Sequence, residues 1–293
     1  MRRSCDVYGF SLVELVVVIA LTGIVAGFAM SFIGQSMRAY GDIDGRARLV
    51  AHAETALQRM ARDVRRALPN SIRVAGGATA LELLYTLDGA RYRSAPGVNT
   101  PDDHTAASDV LDPGPDASFN VLGRLRALSF SYGTALPSGQ RIAIYSTGSA
   151  IWSDAAAGTS PGAITPASTT VTIQNDGDED QLVLGSSFDF IRRSPRRRLY
   201  VVEGPVSFLC DTTAQTLTRY SGYAPTASQP TNPLAAPIAT AQAATLASGV
   251  ASCQFSYAPG SSQRASLVTL ALTLARDGSQ VRLLEQVHVV NAP

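Results

Sequence analysis

The chain has 293 residues, of which 45% are hydrophobic, and a formal net charge of +1. This composition excludes a disordered chain and supplies enough apolar side chains for a sizeable core. Removing residues 1–9 takes away Arg2, Arg3 and Asp6 and leaves a neutral chain, so bulk charge gives no reason to expect nucleic-acid binding.

The first predicted element is a membrane-spanning helix. Residues 10–34 carry a single charge, Glu14, and as a helix they measure about 37 Å, enough to cross a bilayer core of about 30 Å. Arg2 and Arg3 come before this segment, so the positive-inside rule places the N-terminus in the cytoplasm and the chain after residue 35 outside. The apolar run is longer than the roughly 7–15 residues of a secretory signal.

A plain membrane anchor does not explain Glu14. A carboxylate in an apolar span costs at least about 2–3 kcal/mol unless it has a partner. Cleavage between Gly9 and Phe10 would create one, because the new α-amino group of Phe10 is a cation at neutral pH. With its short basic leader, Gly9 and the sequence FSLVEL from Phe10, this region resembles the class III signal of type IV pilins and pseudopilins.

The resemblance implies that prepilin peptidase cleaves after Gly9, that Phe10 is N-methylated, and that Glu14 pairs with a neighbouring subunit during assembly. It implies an α+β type IV pilin-like fold, in which a long N-terminal helix packs on an antiparallel β-sheet body. The protein is then expected in the inner membrane, with its C-terminal body in the periplasm, and in the pilus after assembly. Its expected partners are prepilin peptidase, other minor and major pilins and the inner-membrane assembly platform.

The predicted domain order is a cleaved leader at 1–9, a transmembrane helix at 10–34, an amphipathic periplasmic half of that helix at 35–68, and a β-rich globular domain at 69–293. The helix is predicted to end near Leu68, because Pro69 disfavours helical geometry before it. Gly23 and Gly27 either allow close helix approach or mark a helix that softens on packing. The predicted buried stripe of the amphipathic half recurs at three- and four-residue steps; it comprises Leu49, Ala53, Ala56, Leu57, Met60, Val64, Ala67 and Leu68.

The body after residue 70 is predicted to be an antiparallel sheet. Asp88-Gly89 and Asp277-Gly278 each lie between β-like runs and predict two tight hairpins. Residues 95–119 and 224–247 are predicted to be surface loops. The remaining predicted strands are 125–132, 141–146, 170–174, 181–184, 199–203, 206–210, 217–220 and 253–257.

The cysteines predict one disulfide. Cys5 lies before the apolar segment, whereas Cys210 and Cys253 form an even pair in the body, of the kind that an oxidising compartment joins. Two buried free thiols are the alternative.

No cofactor is expected, and calcium is the one metal with a candidate site. Asp176, Asp178 and Asp180 alternate in the sequence NDGDEDQ, a spacing that suits oxygen ligands around Ca²⁺. An acidic turn between two strands explains the same residues without a metal.

Other patterns carry weaker signals. The basic run 192–198 suggests either contact with DNA phosphates, lipid headgroups or an acidic partner, first of all another pilin subunit, or a solvated loop. It lacks the interleaved aromatic residues that would stack on bases, so nucleic acid is not an expected partner. Ser160 lies in a G-x-S-x-G pattern, but a loop rich in Gly, Ala and Pro surrounds it, so the chain is predicted not to be an enzyme. His52, His104 and His288 are too scattered in sequence to predict a metal cluster.

Three sequence segments make the resemblance more specific: ALPNSIRV at 67–74, NDGDEDQ at 175–181 and GPVSFLCD at 204–211. Together they resemble the MshO minor pilins of the mannose-sensitive haemagglutinin (MSHA) pilus biogenesis system. This resemblance implies a low-abundance subunit that primes or caps filament assembly near the tip. The alternatives are the J-type minor pseudopilin of a type II secretion system, and a minor pilin or tip adhesin that binds DNA or a surface ligand.

Overall fold

The computed structural model describes residues 11–95, 110–148, 150–260 and 264–289. Its first element is α1 (Leu12–Arg65), a continuous helix of 54 residues that is about 80 Å long. Ser11 caps its N-terminus, and the last turn is closed by the Arg66 N–H on the Asp63 carbonyl at 3.0 Å and by the Ala67 N–H on the Val64 carbonyl at 3.2 Å.

Helix α1 ends three residues before the predicted end at Leu68. The carbonyl of Arg66 accepts the Thr86 N–H at 2.8 Å, and the Leu68 N–H donates to the Leu84 carbonyl at 2.8 Å. The chain therefore leaves the helix to hydrogen-bond with a strand before it reaches Pro69.

Three antiparallel sheets follow, instead of the single sheet that the sequence predicts. The first sheet has six strands in the order β1-β2-β7-β8-β9, with β4 also paired to β7. These strands are β1 (Arg73–Ala75), β2 (Ala80–Arg91), β4 (Arg141–Ile144), β7 (Arg198–Asp211), β8 (Thr216–Ser221) and β9 (Gln242–Ser248).

The other two sheets have three strands each, in the orders β3-β6-β5 and β10-β11-β12. Their strands are β3 (Pro115–Val121), β5 (Val171–Asp176), β6 (Glu179–Asp189), β10 (Val250–Ala258), β11 (Ser266–Arg276) and β12 (Ser279–Val289). A short helix, α2 (Ala150–Ala157), and a 3-10 turn (Ile238–Thr240) complete the described elements. Strands β3 and β9 begin inside the two segments predicted to be loops, and residues 125–132 form no strand.

One of the two predicted hairpins is confirmed. Asp277 and Gly278 both have positive φ, 49° and 78°, and β11 pairs with β12 up to Arg276 and Ser279. The hairpin over Asp88-Gly89 is wrong, because β2 runs straight through these residues and pairs with the long strand β7. The register between β2 and β7 shifts on both sides of Thr86. The Asp88 side chain accepts hydrogen bonds from the N–H groups of Gly89 and Ala127, both at 2.8 Å.

The main core lies between the second half of α1 and the sheets. The predicted stripe faces inward, with Ala53, Ala56, Met60 and Val64 fully buried. Helix α1 packs mainly on β12, β11 and β9. A second core, rich in Phe, joins the β3-β6-β5 sheet to β4 and the first half of β7, and a third surrounds Trp152 of α2. A long helix packed on antiparallel sheets is consistent with a pilin-like α+β fold.

Candidate functional site

The first 23 residues of α1 form an exposed apolar rod. Leu12–Gly34 is long and apolar enough to cross a membrane, and none of it is buried against the rest of the chain. Phe28, Met30 and Phe32 are each more than 70% exposed. Such a continuous apolar surface requires lipid or other apolar helices around it.

Glu14 is the only charged residue of this rod. It occupies the first turn of α1, and its backbone N–H donates to Ser11 Oγ at 3.1 Å. Ser11 and Glu14 thus have the S-x-x-E spacing of a capping box, in which an N3 carboxylate faces the positive end of the helix dipole. The capping role of Ser11 was not predicted from the sequence, although the S-x-x-E spacing is a recognisable signal of it.

Gly9 and Phe10, the predicted cleavage and methylation residues, lie outside the described part of the chain. The pairing of Glu14 with a Phe10 α-amino group therefore stays a prediction. The described rod fits that prediction, because it brings no cation of its own to Glu14. Helix α1 is continuous at Gly23 and Gly27, and a Cβ at either position would meet nothing within 4 Å.

A disulfide joins Cys210 of β7 to Cys253 of β10, with the two Cα atoms 6.2 Å apart. It connects the six-stranded sheet to the β10-β11-β12 sheet, on which α1 packs. In the chain-entropy account, closing a loop of 43 residues stabilises the fold by about 4 kcal/mol.

The three candidate calcium ligands do not converge. Asp180 is fully buried; its Oδ1 accepts hydrogen bonds from Arg124 and Tyr132, and its Oδ2 accepts one from the Leu125 N–H at 2.8 Å. Asp176 accepts a hydrogen bond from Asn120, while Asp178 lies exposed in the turn between β5 and β6. Among the described residues no group of three or more His, Cys, Asp or Glu side chains is placed to hold a metal ion, so the calcium hypothesis is not supported.

The basic run forms an exposed turn before β7. Arg192, Arg193, Arg196 and Arg197 are exposed, whereas Ser194 is buried and its carbonyl accepts the Tyr92 hydroxyl at 3.2 Å. The turn belongs to the Phe-rich part of the body. It presents positive charge on that part of the body.

Ser160 does not have the surroundings of a nucleophile. Its Oγ accepts the Asp189 N–H at 3.0 Å, and it lies in a loop instead of a turn between a strand and a helix. His52 lies on α1 and His288 on β12, and both are exposed. His104 is outside the described residues.

A buried polar cluster on β2 was not predicted from the sequence. Glu82 is fully buried and accepts hydrogen bonds from Arg73 Nε at 2.7 Å and from the Tyr223 hydroxyl at 2.8 Å. Burial raises the pKa of Glu82, and Arg73 opposes that rise. Burial likewise raises the pKa of Tyr223, and the adjacent Glu82 raises it further. Glu82 and Tyr223 are 141 positions apart in the sequence, so no local sequence pattern predicts their contact.

The chain shows one family match. The model described as "Prokaryotic N-terminal methylation motif" matches residues 6–30, which include Gly9, Phe10 and Glu14. No curated protein and no solved structure matches the chain.

The match and the apolar rod support one class of protein. A prepilin-type N-terminus supports a type IV pilin-like protein, and it implies processing by prepilin peptidase and assembly with other pilins. The apolar helix near the N-terminus fits a membrane-anchored pilin.

Proposed function

We propose that the chain is a minor pilin of an MSHA-type type IV pilus, most like MshO, that primes or caps filament assembly near the tip. The observation that carries this proposal is the methylation motif at residues 6–30, followed by an apolar rod with the single charge Glu14. The sequence segments at 67–74, 175–181 and 204–211 support the MSHA-type subunit over other pilins.

The size of the body favours a minor subunit. The domain from residue 69 to 293 contains all three sheets and two Phe- or Trp-rich cores in addition to the one that α1 contacts. These extra cores enlarge the body, which makes close repeated packing along a thin filament difficult. A position at the end of the filament avoids that restriction.

Membrane topology and absence of catalysis belong to the same proposal. Before assembly, α1 crosses the inner membrane with its N-terminus in the cytoplasm and its disulfide-containing body in the periplasm. The protein acts by assembly with prepilin peptidase, the assembly platform and other pilins, and it turns over no substrate. The loop setting of Ser160 supports this, since its hydroxyl accepts a backbone N–H.

The test compares Glu14→Ala with Glu54→Ala, a removal of the same carboxylate from an exposed position further along α1. Each variant is expressed in cells that lack the native chain, and surface pili and type II secretion are both measured. We expect Glu14→Ala to abolish pili, Glu54→Ala to leave them, and secretion to stay normal throughout. Loss of secretion with normal pili would move the chain to the J-type pseudopilins.

A further inference from the structure

A pocket lies where β7 changes its partner along one edge. β4 pairs with β7 up to the Arg141–Val202 pair, and β8 begins at the Val206–Ser221 pair. Residues 203–205 fall between these pairings, so neither strand covers that edge of β7 there. The gap opens into a pocket of about 360 Å³ that Arg141, Ser138, Ser221 and Gln242 help to line. That volume is in the range of small-molecule sites.

Arg141 brings a buried positive charge to this pocket. It is only 6% exposed, and burial lowers its pKa, with no opposing contribution from a charged neighbour. Its Nη1 donates to the Ala155 carbonyl at 2.7 Å, which is the one hydrogen bond that its side chain makes within the described residues. A guanidinium group has five N–H donors, so most of them are left for another acceptor.

The other partly buried arginines show what Arg141 lacks. Four of them, with side chains 18–30% exposed, form ion pairs with carboxylates at 2.6–3.1 Å. The pairs are Arg73–Glu82, Arg93–Glu179, Arg124–Asp180 and Arg219–Asp63. Arg141 is more buried than any of these four, yet no described carboxylate pairs with it. Because a buried charge is costly without a counter-ion, the missing partner is expected to come from outside the described part of the chain.

The contact with Ala155 does not remove that need. Ala155 lies in the last turn of α2, where a carbonyl carries a partial negative charge that favours a cation. One carbonyl supplies only part of a counter-charge and occupies only one donor. If the only role of Arg141 were to stabilise α2, a carboxylate added to the pocket would gain no binding free energy from it.

We propose that this pocket binds a small carboxylic acid, up to the size of an acidic monosaccharide, with Arg141 donating paired hydrogen bonds to the carboxylate. The planar guanidinium fork matches a carboxylate in two parallel hydrogen bonds. Glu203 is exposed and also borders the pocket, so a doubly charged phosphate meets more repulsion than a single carboxylate. Ser138 and Gln242 add polar groups for sugar hydroxyls.

The test uses the mature full-length chain in detergent micelles and titrates glucuronate, an oligogalacturonate, inorganic phosphate and glucose at constant ionic strength. Arg141→Gln removes the charge, and Ala167→Glu places a competing carboxylate at an exposed residue that borders the pocket. Arg126→Gln, at an exposed arginine elsewhere, is the control. If Arg141→Gln does not fold, Ala167→Glu still tests the proposal, because Ala167 is exposed and its replacement removes no buried contact.

We expect saturable glucuronate binding that Arg141→Gln weakens at least about tenfold, as loss of a charged hydrogen bond should. Ala167→Glu should weaken it as well, and Arg126→Gln should not. Binding of the oligogalacturonate too would identify the ligand as an acidic sugar within a glycan, whereas its exclusion would identify the free acid. Absence of saturable glucuronate binding, equal binding by glucose, tighter binding of phosphate, or full binding by both pocket variants would overturn the proposal.

Discussion

Replacing Arg73 by alanine tests whether the buried polar cluster holds the body together. Arg73 reaches Glu82 Oε2 with Nε and Nη2, both at 2.7 Å, and Nη2 also donates to the Thr226 carbonyl at 2.8 Å. Its guanidinium lies 3.8 Å from the ring centroid of Trp152 in α2. One side chain thus connects β1, β2, α2 and the loop after β8.

Arg73→Ala should cost about 3–5 kcal/mol of unfolding free energy, because it leaves the fully buried Glu82 carboxylate without its cation. The matched control is Arg48→Ala, whose ion pair with Asp44 has a similar length of 2.8 Å but is 80% and 62% exposed. Exposed pairs contribute about 0–1 kcal/mol. The shortest N–O distances of the two ion pairs are alike, so the difference between the variants reports burial together with the further contacts that Arg73 makes to Thr226 and Trp152.

The assay is urea denaturation of the full-length chain in detergent micelles, followed by Trp152 fluorescence. A second comparison adds Glu82→Gln to Arg73→Ala, and the double variant should lose less stability than the two single losses added together. If Arg73→Ala cost no more than Arg48→Ala, the cluster would have no structural importance and this reasoning would be wrong.

Four further outcomes follow from the same structure. Replacing both Cys210 and Cys253 by serine should lower the unfolding free energy by about 4 kcal/mol, and reductant should then have no effect on the variant. Met60→Ala should cost about 2–5 kcal/mol, since this side chain of α1 is fully buried between the helix and the sheets. Adding calcium or EDTA should leave the melting temperature unchanged, because Asp180 is already held by Arg124. The raised pKa of Glu82 means that the folded state binds this proton more tightly, so the stability of the wild type relative to Glu82→Gln should fall as pH rises above about 4.5, measured by denaturation at several pH values.

The sequence predicted local features well where a short segment determines them. The helical stripe from Leu49 to Val64 follows from its three- and four-residue steps, and it is buried as expected. The hairpin at Asp277-Gly278 forms because both residues adopt positive φ. The apolar rod and Glu14 were recognised from composition and spacing alone.

The same reasoning failed where distant segments decide. Asp88-Gly89 is the same dipeptide as Asp277-Gly278, which forms a hairpin. At Asp88-Gly89, however, the 14-residue strand β7 pairs along β2 and keeps the chain extended. The prolines and the many Ala and Thr residues of 224–247 predict a loop, but β9 begins within this segment because its residues pair with β8. The lack of a described carboxylate beside Arg141 and the burial of Glu82 depend on tertiary packing, which the spacing of residues in the sequence does not predict.

The measurement that tests the central claim most directly is the mass of the N-terminal peptide, taken from cells with and without prepilin peptidase. Assembly as a pilin predicts a mature chain that starts at methylated Phe10 in the first cells and an uncut Met1 terminus in the second. An uncut terminus in both would contradict the claim and reduce α1 to a membrane anchor.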